Sequence, residues 1–193
     1  MPRNSGSRRE RMGKIMPGPV EILPVIPVIS VISSDDKLKM GAKLILESHF
    51  GRIDLSSGLY PFDLSDYYEE EMGDDLTRQW FSFEVLRDAS LLVEWKLVCA
   101  DIEEQFQDKL SNRRVNIDPG YLDYGKLVLA SFKSAPDKIY AGRGVYAHTC
   151  LRYGHGRFTA PEHSFPDFID GRFDDFMLEV RYSYHRILRL HLG

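Results

Sequence analysis

Residues 76–107 change hydrophobic period once, and that change constrains the fold more than any other feature of the chain. "LTRQWFSFEVL", Leu76 to Leu86, sets Trp80, Ser82 and Glu84 against Gln79, Phe81, Phe83 and Val85. A period of two is that of a half-buried strand. Asp88 then caps a helix predicted over Ala89 to Gln107. Leu91, Leu92, Trp95, Val98, Cys99, Ile102 and Phe106 fall on one stripe of it, with Glu94, Lys96, Asp101, Glu103 and Glu104 at polar positions. A one-sided helix that follows an alternating strand has to lay its stripe on a sheet.

The rest of the chain extends this pattern. "VISVISS", Val28 to Ser34, reads as a buried strand, and Ser33, Ser34 and Asp35 offer caps for a helix from about Asp36 to His49, stopped by Gly51. "RIDLSSGLYPFD" is strand-like but broken by Gly58 and Pro61, and "SDYYEEEMG" is a short acidic helix or turn ending at Gly73. Asp123 to Lys133 fits either a helix or a strand. "KIYAGRGVYAHTCLRYGHGRFTA" alternates between two glycine turns and predicts a β-meander. A last helix is predicted from about Arg172 to Leu190, with Phe173, Phe176, Met177, Val180, Tyr184, Ile187 and Leu188 on its apolar side. The expected fold is α+β: a mainly antiparallel sheet with helices packed on a face. The first six elements match the split β-α-β-β-α-β order of ferredoxin-like folds, with an added meander and C-terminal helix.

Residues 1–19 are polar, basic and rich in Gly, Pro and Ser, and are expected to form a disordered tail ahead of a single domain, 20–193. Basic residues before the apolar run "VEILPVIPVISVI" resemble a signal peptide. However, Pro24 and Pro27 interrupt the run, Val31-Ile32-Ser33 is a poor cleavage site, and about 13 residues do not span a bilayer. Cys99 and Cys150 form no C-x-x-C pair and no disulfide framework, so a reducing cytoplasm is the expected compartment.

The formal charge of −4 argues against a general nucleic-acid binder. That charge is unevenly spread: residues 63–108 hold 3 Lys/Arg against 14 Asp/Glu, while 109–193 hold 13 against 9. The acidic middle is expected to face the basic last third within one fold.

The stretches "ISSDDKL", "YPFDLSDYYEEEMG", "SFEVL", "RRVNIDPGYLDYGKLVLASFK", "KIYAGRGVYAHTCLRY" and "FPDF" together resemble the domain of unknown function 4416 family of prokaryotic proteins. The resemblance runs from about Gly13 to about Tyr184. Some members of that family carry an automatic label of GTP-binding protein. This chain has no G-x-x-x-x-G-K-[ST] phosphate loop, and its nearest glycine cluster, Gly142-Arg143-Gly144, precedes a strand rather than opening a helix.

Three groups of residues are candidates for a site. In "RRVNIDPGYL", Asp118-Pro119-Gly120-Tyr121 has the chemistry of a type II turn. Alternation places Arg114, Asn116 and Asp118 on one polar face, with Tyr121 at its edge and Arg113, Val115 and Ile117 on the other face. Arginine suits bidentate recognition of phosphate, so Arg114 and Arg152 are the candidate anion contacts. In the acidic stretch, Asp63 and Asp66 are candidate ligands for a divalent cation such as magnesium, or else a capped and solvated helix turn. His148, His155 and His163 match no zinc spacing.

Two function classes follow. The favoured one is a non-catalytic binding or interaction module for a small phosphate- or nucleotide-like anion. The alternative is a metal-assisted enzyme acting on a phosphate or nucleotide, with Arg114 or Arg152 holding the anion and Asp63, Asp66 or Asp118 serving a metal or proton transfer. Oligomeric state is left open.

Overall fold

The computed structural model describes residues 22–63, 69–162 and 164–192. The expected tail, Asp66 and His163 lie outside the described residues. Its first strand, β1, is Ile26–Ser33, and Asp35 caps the helix α1, Asp36–Phe50, with Oδ1 accepting from Lys37 N at 2.8 Å. Gly51 closes that helix with φ 95°, a conformation costly for any residue with a Cβ. Next come β2 (Ile53–Ser56), β3 (Tyr60–Pro61), α2 (Glu69–Met72) and β4 (Thr77–Phe83). Asp88 caps a short 3-10 turn leading into α3, Leu92–Glu104. The strands β5 (Asn116–Leu122), β6 (Lys126–Ser131), β7 (Ile139–Gly142), β8 (Val145–Gly154) and β9 (Arg157–Thr159) follow, then α4 (Pro166–Ile169) and α5 (Asp174–Leu192). The fold class is α+β, and the segment Asp123–Lys133 contains a strand.

All pairings in the sheet are antiparallel, in the order β2-β4-β1-β5-β6-β8-β7, with β3 on β4 and β9 on β8. The strands joined through α1, β1 and β2, are separated by β4, and β5 lies on the far side of β1. Alternate residues of β1 serve two cores. Ile29 and Val31 meet α1 and α3 through Leu46, Trp95 and Cys99. Ile26 and Val28 meet α5 and α4 through Phe168, Met177 and Tyr184. Trp95 is buried, with its ring edge-on to Phe50 at 5.9 Å. Among the described residues no helix is long and apolar enough to cross a membrane.

One expectation is overturned. Asp118-Pro119-Gly120-Tyr121 is not a turn but the middle of β5, and Gly120 has no positive φ. The residue types have another reason. A Cβ on Gly120 would stand 2.2 Å from the Val128 carbonyl oxygen and 3.1 Å from Leu129 Cα, so only glycine lets β6 approach there. The β5–β6 ladder runs from Leu122↔Leu127 to Gly120↔Leu129 and ends. The next residue, Pro119, has no N–H to give the departing strand. Beyond it β5 pairs with β1 alone and β6 with β8 alone, so the sheet is split at its centre.

Candidate functional site

The split holds a cavity of about 320 Å³, lined from both sides of the sheet. Phe62, Arg78, Asn116, Asp118, His148 and Asp167 belong to its α4 side. Lys96 enters from α3, and Ala130, Phe132 and Lys133 belong to β6 and the chain after it. The volume lies at the low end for small-molecule sites, about 300–1,000 Å³.

The open edge of β5 is satisfied by α3 instead of a strand. Lys96 Nζ donates to the Ile117 carbonyl at 2.9 Å, and Ile117 N donates to Glu103 Oε1 at 2.6 Å. Lys96, Cys99 and Glu103 are spaced i, i+3 and i+7, so one helix face delivers the donor, the acceptor and a small residue between them. Lys96 also lies 3.8 Å from Glu103 Oε1 and 4.0 Å from Asp118 Oδ1. Burial pushes the Glu103 carboxyl up, and Lys96 and the Ile117 N–H partly offset this.

Arg78 forms the floor on the other side. Register places Arg78, Ile32 and Asn116 in one row, and Trp80, Ser30 and Asp118 in the next. The guanidinium lies 5.1 Å from the Phe62 ring centre and 5.3 Å from that of Trp80. Its Nη1 is 3.3 Å from Asp167 Oδ2 and its Nη2 3.8 Å from Asp118 Oδ2, distances and orientations of ion pairing rather than hydrogen bonding. Arg78 Nε and Asp167 Oδ2, both buried, have no hydrogen-bond partner. Burial pushes the Asp167 carboxyl up against the pull of Arg78 and Arg172.

Asn116 and Asp118 come together as the alternation requires: Asn116 Nδ2 donates to Asp118 Oδ2 at 3.0 Å. Their arginine is Arg113 rather than Arg114. Arg113 Nη1 donates to Asn116 Oδ1 at 3.0 Å and Nη2 to Glu71 Oε2 at 2.7 Å. Arg114 lies outside the cavity, its side chain 3.7 Å from Asp35 and its carbonyl accepting from Ser33 Oγ at 2.8 Å. The strand begins only at Asn116, so alternation does not extend back to Arg114. Tyr121 packs half-buried against the α1–α3 core, away from the cavity. Arg152 is exposed on β8.

Asp63 is engaged by Arg172, whose Nη1 donates to its Oδ1 at 2.9 Å. Among the described residues no group of three or more His, Cys, Asp or Glu side chains is placed to hold a metal ion. His148 is a cavity wall residue: its Nε2 is 2.7 Å from Asp137 Oδ2, and its ring stands edge-on to Phe165 at 5.4 Å. Burial holds its imidazole below the usual range despite Asp137. The Cys150 thiol, 3.7 Å from His148 Nδ1, is fully buried and pushed far up by that burial, which leaves it inert as a nucleophile. His155 is exposed at a turn with φ 51°.

Sequence reasoning missed Arg78, Lys96 and Asp167. Arg78 shares the alternating face of Trp80 and Ser82, and a cation on a core face is the signal that could have found it. Asp167 stands between two aromatic residues in "FPDF".

No curated protein and no solved structure matches the chain significantly. A family model described as a domain of unknown function, DUF4416, matches residues 24–184. That span runs from the entry to β1 to the middle of α5 and includes every described residue of the cavity, so the chain belongs to the DUF4416 family.

Proposed function

We propose that the protein is a binding module for a small phosphorylated ligand, held in the cavity at the sheet split. The observation that carries this reading is Arg78. The residue is 4% exposed, lines the cavity, and keeps a buried Nε without a hydrogen-bond partner. Arginine recognises phosphate through its planar fork of donors. Lys96 is a second buried cation of the lining, beside Arg78. Phe62, Phe132 and Phe165 supply apolar wall for the rest of the molecule. The reading assigns no bond-breaking step.

A thermal-shift screen of inorganic phosphate, aryl phosphates, sugar phosphates and nucleotides tests it, with and without divalent cations. A ligand at about 100 times its Kd adds about 2.7 kcal/mol, which raises the melting temperature by several degrees in a chain of this size. The reading fails if no phosphorylated compound raises it. A shift that requires a divalent cation would favour the metal-assisted enzyme instead.

A further inference from the structure

The cavity floor offers both a donor and an acceptor. Arg78 and Asp167 are each 4% exposed, and each has a buried polar atom with no hydrogen-bond partner: Nε on Arg78 and Oδ2 on Asp167. Both residues line the cavity, and a buried polar group without a partner is one that a bound molecule can complete. Asp118, the other carboxylate beside Arg78, already accepts from Asn116 Nδ2 at 3.0 Å through Oδ2. Any oxyanion seated on Arg78 therefore lies beside the unsatisfied oxygen of Asp167, 3.3 Å from Nη1. A fully ionised oxyanion would set charge against charge there. An oxyanion that keeps a proton can donate it.

We propose that Asp167 is a specificity residue that selects a singly protonated phosphate monoester, with P–OH donating to Asp167 Oδ2 and a second phosphate oxygen accepting from Arg78 Nε. The inference rests on the phosphate reading above and adds the protonation state of the ligand and the residue that reads it. A phosphate monoester loses its second proton at a pKa of about 6, so the monoanion is accessible near neutrality. A sulfate monoester has no proton to give. Burial raises the Asp167 carboxyl, and Asp118 adds to that rise, so Asp167 holds a shared proton better than an exposed aspartate would.

The matched pair phenyl phosphate and phenyl sulfate tests this by calorimetric titration into the full chain near neutral pH. Phenyl phosphate should bind at least about tenfold more tightly, because a site built around a ligand donor rejects an analogue that lacks it. In Asp167→Asn, which can donate where aspartate only accepts, the preference should disappear. Equal binding of the two esters to the parent protein overturns the role of Asp167 and leaves the anion site standing. A preference that survives Asp167→Asn does the same. Binding of neither ester overturns this inference, and the phosphate reading itself falls only when every compound of the phosphate screen also fails to bind. Should Asp167→Asn not fold, the comparison on the parent protein decides.

Discussion

Lys96 of α3 stands where a strand would: its Nζ donates to the Ile117 carbonyl of β5 at 2.9 Å, on the edge that β6 leaves open. The same ammonium lies within 4.0 Å of Glu103 and Asp118. Lys96→Met would strip a buried carbonyl of its donor and two carboxylates of their counter-charge. Breaking a buried pair from one side costs about 3–5 kcal/mol. Urea denaturation should show a loss in that range, and a loss under about 1 kcal/mol would mean that water already satisfies that edge.

Gly120 sets where the sheet splits. A methyl group there would stand 2.2 Å from a backbone oxygen of β6, and backbone cannot move aside as a side-chain tip can. Gly120→Ala should cost about 1–3 kcal/mol, the usual range for overpacking, and should widen the split. Chemical denaturation gives the first, and faster amide exchange at Tyr121 and Val128 the second. An unchanged midpoint would contradict the close approach of β5 and β6.

His148 gives the fold a pH dependence. Burial lowers its pKa from 6.5, with Asp137 opposing, so the folded state resists a proton that the unfolded chain accepts. The stability it contributes is fully present above pH 6.5 and is lost as the pH falls from there to the lowered folded value. His185, also lowered, remains in any His148 variant. His148→Gln should flatten the stability profile between about pH 7.5 and 5. A profile as steep as the parent's would assign the effect elsewhere.

Arg114 should be nearly silent. Its ion pair with Asp35, at 3.7 Å, is exposed on both sides, and such pairs are worth about 0–1 kcal/mol. Arg114→Lys should lie within that range and leave phenyl phosphate binding unchanged. Weakened binding would return Arg114 to the site.

Local pattern carried the elements whose partners are local. The stripe from Leu92 to Ile102 is visible because one face of α3 is buried along its length, whereas β4, expected to be half-buried, is covered on both faces, with Trp80 and Ser82 buried on one and Phe81 and Phe83 on the other. Asp-Pro-Gly predicts a turn but forms a strand, because its chemistry serves two purposes. The same missing N–H and missing side chain that make a turn also end a ladder and admit a neighbouring backbone. Which purpose applies depends on β6, which passes Gly120 only in the folded sheet. Half of the polar face was legible, since Asn116 and Asp118 follow strand alternation. The remainder of the cavity was not. Arg78, Lys96 and Asp167 come from three separate elements that meet only across the split.

The central claim is that Arg78 holds the ligand's phosphate. Isothermal titration of phenyl phosphate into the parent protein and into Arg78→Lys measures it directly. Lysine keeps the charge but loses the planar fork and the Nε donor. Binding to the variant should weaken at least about tenfold, or about 1.4 kcal/mol, while cooperative unfolding persists. Equal affinity for the two proteins would contradict the claim.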